Sequence, residues 1–363
     1  MALKIAVVAH LRHPIAAPFM GGMEAHAWHL VRGLRARGHQ VTLYAAGDSD
    51  PDFRIHPIIA RHYDQDYPWH DFHGTDVLNA VLDDAFARCT EALDRGGHDV
   101  VHNNSLHRFP PRHAFATRMP MVTSLHVPPF DGLRRAVQDS AAPWSRFTVC
   151  SAQQAGLWWP AGAPESAEVV GNGIDLRLWP FAPTGDGSAV WAGRITPTKG
   201  THLAAQAARI AGVPLTIFGT IEHRDYFEDM VRPHLGGDIR YGGHLEGREL
   251  AENLGRSSVM LFTPQWQEPF GLVAIEGMAC GLPVASTRIG ATPEVIGDCG
   301  SFAAPDDAAG LARALTRAMR IPRHAPRRRV ERLFSLDRML DRYEANYRQA
   351  IDAARDGIDA RAS

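Results

Sequence analysis

Short runs of consecutive apolar residues alternate along this chain with longer stretches in which apolar residues recur every three or four positions. Lys4 to Ala9, Gln40 to Ala45, Val100-Val101, Met121 to Leu125 and Phe147 to Cys150 predict strands in the first half. Ala189 to Ala192, Leu215 to Phe218, Ile239 to Tyr241, Val259 to Phe262 and Val284 to Ser286 do so in the second. Unbroken apolar runs suit parallel strands covered on both faces. Ala27, Leu30, Val31 and Leu34, at helical spacing, predict a helix entered at Gly21-Gly22 and stopped at Gly38. Further helices are predicted over 76–93, 201–210, 246–255 and 335–354. The alternation implies an α/β chain with doubly wound parallel sheets in both halves. The irregular stretch from Trp179 to Ser188 reads as the linker between them.

Length and charge narrow the picture further. At 363 residues the chain suits two domains of ordinary size. A net charge of −2 argues against nucleic acid as a main partner. No apolar run approaches the length of a membrane span, and Lys4-Ile5-Ala6-Val7-Val8 is interrupted too soon for a signal peptide, so a cytoplasmic location is expected. Cys89, Cys150, Cys280 and Cys299 show no paired spacing and read as reduced core residues.

The most informative chemistry lies between Gln265 and Val284. Pro264 ends the strand at Val259 to Phe262, and Pro269 disfavours helix at Glu268, so a helix is predicted from about Gly271. Its first N–H groups lack intrahelical partners and carry partial positive charge, which favours an anionic or hydroxyl-rich ligand. Glu276 falls inside that helix and Glu268 on the loop before it. A carboxylate accepts two hydrogen bonds in a fork, which matches vicinal hydroxyls of ribose or hexose. Arg194 and Lys199, after the strand at Ala189 to Ala192 and beside Gly200, form a second group whose charge-assisted bonds suit a diphosphate.

The segment Glu268-Pro-Phe-Gly-Leu through Glu276, followed by Gly-Met-Ala-Cys-Gly-Leu-Pro-Val, resembles the E-x7-E signature of the retaining glycosyltransferases of family 4. Gly21-Gly22-Met23-Glu24, Asp99-Val100-Val101-His102, Val170-Gly171-Asn172-Gly173-Ile174-Asp175, Gly193-Arg194-Ile195 with Lys199-Gly200, and Pro293-Glu294-Val295-Ile296 fall in the family's order. The resemblance covers about residues 3 to 305. It implies the GT-B fold, two Rossmann-like domains facing a central cleft. Residues 1–178, with a returning C-terminal helix at about 336–363, would form an acceptor-binding domain, and residues 179–335 a donor-binding domain. It further implies transfer of a hexose from a nucleotide diphosphate sugar, most simply a UDP- or GDP-sugar, to a hydroxyl acceptor such as a saccharide, a lipid-linked sugar or a small metabolite. The anomeric configuration would be kept by front-face attack, without metal or other cofactor. His126, Arg194, Lys199 and Glu268 would carry catalysis, and Gly22, Phe270, Gly271, Leu272 and Glu276 would bind the donor. The base would be read by backbone around Gly219 and Gly243-His244-Leu245.

Other features leave alternatives open. Asp48-Ser49-Asp50 and Asp64-Gln65-Asp66 have metal-site spacing but lie in loops far in sequence from Arg194 and Glu268. Fourteen of the 19 histidines fall in the first 150 residues, without metal-ligand spacing, and His10, His13, His102 and His107 follow strand ends where an acceptor pocket would open. The aromatic loop from Tyr63 to His73 suits either stacking on a sugar or packing on itself. Arg320, Arg323, Arg327, Arg328, Arg329 and Arg332 read as a solvated face, with weak attachment to the inner face of a membrane as the rival reading. A phosphorylase, a sugar-nucleotide epimerase and a silent sugar-nucleotide binder remain as alternatives. A dehydrogenase is disfavoured because no G-x-G-x-x-G follows the first strand.

Overall fold

Among the described residues thirteen strands, all paired in parallel, make two separate sheets. The computed structural model describes residues 2–362, with side chains through 356; residues 1 and 363, the outermost positions of the expected first domain, lie outside the described residues. The first sheet contains β1 (Lys4–Val8), β2 (Gln40–Ala46), β3 (Ile55–Ile59), β4 (Val100–Asn103), β5 (Met121–Leu125), β6 (Ser145–Val149) and β7 (Ala167–Val169) in the order β3-β2-β1-β4-β5-β6-β7. The second contains β8 (Ala189–Ala192), β9 (Leu215–Phe218), β10 (Ile239–Tyr241), β11 (Val259–Phe262), β12 (Val284–Thr287) and β13 (Gly300–Ala303) in the order β10-β9-β8-β11-β12-β13. Strand order reverses at β1/β4 in one sheet and at β8/β11 in the other. Loops leaving the carboxyl ends of those strands are where open α/β sheets bind ligands.

Three strands escape the apolar pattern for visible reasons. β3 is an edge strand carrying Pro57, β7 is a half-buried edge of three residues, and β13 begins Gly-Ser. Edge strands bury one side less, so their sequences need no continuous apolar run. The central strands match their runs: β5, β8, β11 and β12 are buried at every position.

The chain divides into two units, one of residues 1–150, 155–170 and 339–363, the other of 151–154 and 171–338. The crossing at 170/171 falls before the expected 178/179 boundary. Ile174 N–H donates to Phe334 O and Leu336 N–H to Ile174 O, which ties 171–178 to the second unit. The stretch expected as a linker is likewise packed: Ala182 N–H donates to Cys280 O, and Trp179 is buried. In the first unit the long helix Leu336–Ala362 sends Tyr343 and Tyr347 into the core, and Leu340 lies where a side chain on Gly33 would clash, at 2.6 Å.

In the arginine run, Arg320, Arg328 and Arg332 are exposed, as a solvated face requires, while the other three correct that reading. Arg323 donates to the carbonyls of Ala182, Gly255, Ser257 and Cys280, Arg327 to Trp179 and Ala279, and Arg329 to Glu294 and Val295. These guanidinium groups cap helix ends and loops, where carbonyls have no intrahelical donor. Pro326 is accommodated in the first turn of the helix His324–Leu333. All four cysteines are buried and unbridged. No helix among the described residues is long and apolar enough to cross a membrane.

Candidate active site

In the second unit, the loop after β8 turns through a 3-10 segment, Pro197–Lys199, into the helix Thr201–Ala211, with Gly200 left-handed between them. A Cβ on Gly200 would stand 2.3 Å from Thr263 O, so only glycine lets this loop meet the end of β11. Thr263 secures the same junction: its hydroxyl contacts the carbonyls of Lys199 and Gly200 at 2.9 and 3.0 Å and accepts from Trp191 Nε1. Because β8 and β11 are paired neighbours, Lys199 is thereby delivered to Glu268. Lys199 Nζ lies 2.6 Å from Glu268 Oε2, and Trp266 Nε1 donates to that same oxygen at 2.9 Å. Glu268 is 6% exposed, and its Oε1 has no hydrogen-bond partner among the described residues. Its backbone is held by Ala291 N–H, which donates to Glu268 O.

Gly271, left-handed at φ 94°, starts the helix Leu272–Ala279. A Cβ there would meet the Phe262 ring at 2.7 Å. Ala274 N–H closes onto Gly271 O, while the N–H groups of Leu272 and Val273 sit where a helix supplies no acceptor. Glu276 projects from this helix without a hydrogen-bonding partner among the described residues. It keeps partial exposure, yet burial around its carboxyl raises its pKa to about 7. Such a carboxylate is starved of donors, which is what a vicinal diol offers. The Phe270 ring is 3% exposed and packs edge-on against Phe334 at 5.3 Å, so the donor contact expected of Phe270 falls to its backbone.

Arg194 is turned toward a residue that sequence reasoning did not single out. Its Nη1 lies 2.7 Å from Glu222 Oε2, on the loop after β9. Gly193 and Gly219 bring these two loops together; a Cβ on Gly219 would fall 1.7 Å from Gly193 O. No short motif marks Glu222, because the partners are 28 positions apart.

In the first unit, Gly22 opens the helix Gly22–Ala36, and Gly21 is extended before it. One turn on, His26 lies 4.3 Å from the ring of His126, which follows β5. His126 Nε2 is 2.9 Å from Asn104 Oδ1; with the amide oxygen accepting, the proton sits on Nε2 and Nδ1 is the acceptor nitrogen. Burial, aided by His10, holds the His126 pKa near 4, so the ring is neutral at pH 7. Glu24, also absent from the expected site, lies 3.1 Å from His10 Nε2; burial alone would raise its pKa, but His10's hydrogen bond and charge bring it to about 2.

Several candidates are structural. His102 is fully buried between Tyr347 and Ser124, and burial lowers its pKa to about 3. His107 pairs with Asp83 and stacks on Phe86; His13, half-buried and 6.1 Å from the His62 ring, keeps its place as a candidate. The Asp-x-Asp loops are satisfied by protein donors: His62 on Asp48, Trp28 on Asp50, and Arg12 and Trp69 on Asp64. Among the described residues no cluster of three His, Cys, Asp or Glu has the arrangement to hold a metal ion. The aromatic loop packs on itself, with Trp69 stacked on His73 at 3.7 Å and Arg12 over Trp69.

Each unit is thus a doubly wound parallel sheet, and the second presents a Lys–Glu pair and a desolvated second carboxylate at its switch point, where open α/β sheets bind ligands. Residues 20–178 match Glycosyltransferase Family 4 and residues 181–332 match Glycosyl transferases group 1. Glycogen synthase of Mycobacterium tuberculosis is 31% identical over 357 residues, covering 85% of each chain. Among solved structures, sucrose-phosphate synthase from Thermosynechococcus elongatus superposes with a TM-score of 0.76 at 21% identity, covering 97% of this chain and 100% of that one. Anabaena HepE in complex with UDP and glucose superposes at 0.72 and 18% identity, over 94% and 98%. This chain belongs to glycosyltransferase family 4: it is a retaining glycosyltransferase of GT-B fold that uses nucleotide-sugar donors.

Proposed function

We propose that the enzyme transfers a hexosyl group from a nucleotide diphosphate sugar to a hydroxyl acceptor, with the second unit holding the donor and the first the acceptor. The observation that carries this reading is the contrast between two carboxylates eight positions apart: Glu268, compensated by Lys199 and Trp266, and Glu276, desolvated and without donors. Glu276 is suited to the nucleotide ribose, whose hydroxyls supply the missing donors. Glu268 Oε1 is suited to a hydroxyl of the transferred sugar. Arg194 and Lys199 supply two positive charges for the diphosphate, so the reaction is proposed to run without metal.

The acceptor oxygen attacks the anomeric carbon from the face the diphosphate leaves. As the bond from carbon to phosphate oxygen breaks, the acceptor's proton passes to that phosphate oxygen, and the sugar crosses an oxocarbenium-like state. Neutral His126, with Nδ1 as acceptor, orients a sugar hydroxyl without adding repelling positive charge near that carbon. Losing one preorganised donor at such a centre typically costs about 3 kcal/mol of barrier lowering. UDP is favoured as the nucleotide because HepE was solved with UDP and glucose. A saccharide acceptor is favoured because a relative matched over 85% of its length, at 31% identity, is a glycogen synthase.

The test is turnover of UDP-, GDP-, ADP- and dTDP-sugars with saccharide and lipid-linked acceptors, in EDTA, read by mass spectrometry. Acceptor-dependent nucleotide diphosphate release with retained configuration is expected. Donor conversion without acceptor, or a strict need for inorganic phosphate, would replace the proposal with an epimerase or a phosphorylase.

A further inference from the structure

A groove of about 660 Å³ lies in the first unit, away from every residue assigned above. One wall is a stripe of the helix Asp76–Arg95: Arg88, Glu91, Ala92 and Arg95 recur at i, i+3, i+4 and i+7 and so share a face. The opposite wall is the edge strand β3, and the floor is Thr42, Tyr44 and Cys89. The groove opens by His98, before β4 begins, whereas Asn104 and His126 follow the far ends of β4 and β5. At ~3.3 Å per strand residue that separation is on the order of 20 Å.

Its chemistry is unlike the rest of the surface. The chain carries a net charge of −2, yet the groove gathers Arg54, Arg88 and Arg95 against a single carboxylate, Glu91. Arg88 and Arg95 are tied to acids on their own helix, Asp84 and Glu91, through exposed pairs of the kind that contribute little. The exposed Arg54 side chain makes no hydrogen bond or ion pair among the described residues, so its five N–H donors face solvent at the rim. Beside it, His56 stacks on Tyr44 at 4.6 Å and 29°, and Tyr44 in turn meets His98, their hydroxyl and Nε2 2.9 Å apart. Tyr44 is 2% exposed, so His56 is the member of this stack that reaches the groove surface, at a position of β3 where an aliphatic residue could have ended the sheet.

We propose that this groove is a second ligand site, taking a small phosphate monoester of monosaccharide or nucleoside size. The ring rests on the exposed face of His56, which Tyr44 backs, and the phosphate is held by Arg54 with Arg88 and Arg95. The volume is that of an ordinary small-molecule site, and guanidinium forks match phosphate oxygens.

Calorimetry on the full chain with glucose 6-phosphate, AMP, inorganic phosphate and glucose tests the assignment. At least one ester binds at least tenfold tighter than inorganic phosphate, and glucose does not bind. Arg54→Ala weakens that ester at least tenfold while leaving UDP affinity unchanged, which also reports an intact fold, and His56→Ala weakens the ester without affecting inorganic phosphate. Esters no tighter than inorganic phosphate, insensitivity to Arg54→Ala, or displacement of the ester by UDP would each overturn it. UDP binding is measured separately, so failure of the donor reading and failure of this site are distinguishable.

Discussion

Replacing Glu276 with Gln changes one property of the donor site, the ability of a desolvated carboxyl to ionise. In the unfolded chain this carboxyl titrates near 4.5, in the folded protein at about 7. Between those values the folded state binds the extra proton, so stability falls as pH rises from 4.5 toward 7 and is level above it. A shift of that size corresponds to about 3 kcal/mol of destabilisation once the group is charged. Glu276→Gln removes the charge and keeps the shape. The variant is therefore more stable than the parent by most of that ~3 kcal/mol at pH 8, and by under about 1 kcal/mol at pH 5. For a unit of this size that is roughly 5–10 °C of melting temperature at pH 8. Differential scanning calorimetry at the two pH values is the assay. The same variant loses nucleotide affinity, and the parent binds UDP roughly tenfold more weakly at pH 6 than at pH 8, as the ionised fraction falls. A stability difference that is equal at both pH values, or a variant less stable at pH 8, would refute the argument that burial without donors sets this group's energetics.

Other outcomes follow from the same geometry. Glu268→Gln keeps the Trp266 bond but removes the negative charge facing Lys199, so kcat falls by about 10²-fold or more while UDP affinity changes little, read by steady-state kinetics alongside calorimetry. Lys199→Ala leaves Glu268 buried without its cation and lowers stability by roughly 1–3 kcal/mol in denaturant titration, in addition to weakening the diphosphate. Glu222→Gln frees Arg194 from its carboxylate and tightens UDP binding severalfold; unchanged or weaker binding would show that the pair does not compete with the diphosphate. Arg323→Ala strands the carbonyls of Ala182, Gly255 and Ser257 and lowers stability by about 2–3 kcal/mol, with the donor KM rising because the bond to Cys280, which caps the helix that carries Glu276, is also lost.

How much of this was readable from residues depends on the range of the interaction. Glu268, Gly271 and Glu276 were legible because the signals are local: Pro269 bars helix before it, a left-handed glycine starts the helix after it, and the apolar run of β11 ends just upstream. Lys199 was legible for the same reason, through Gly200. Glu222 was not, since its meaning depends on two glycines from different loops touching at the ends of β8 and β9. The arginine run misled because composition counts charges but cannot show that guanidinium groups point at carbonyls. The histidines misled in the other direction: His102 follows the same strand-end pattern as His126, but Tyr347, 245 positions away, closes over it. β3 and β13 escaped because edge strands need no apolar run.

The two carboxylates share a motif but not an energetic state, and the difference underlies the division of labour proposed for them. Lys199 and Trp266 already satisfy one oxygen of Glu268, and in the proposed mechanism the other, Oε1, is left to act on the sugar where charge develops. Glu276 carries its charge at a cost of about 3 kcal/mol that the protein itself does not offset. A ligand bringing two hydroxyl donors to it recovers part of that cost on binding, so desolvation stored in the free protein becomes affinity for the nucleotide. A ligand lacking one hydroxyl recovers less, and 2′-deoxy-UDP is accordingly expected to bind roughly tenfold more weakly than UDP. The discrimination should disappear in Glu276→Gln, whose neutral amide offers no such recovery. If the deoxy penalty persists in that variant, the ribose is read elsewhere and the division of labour between the two carboxylates fails.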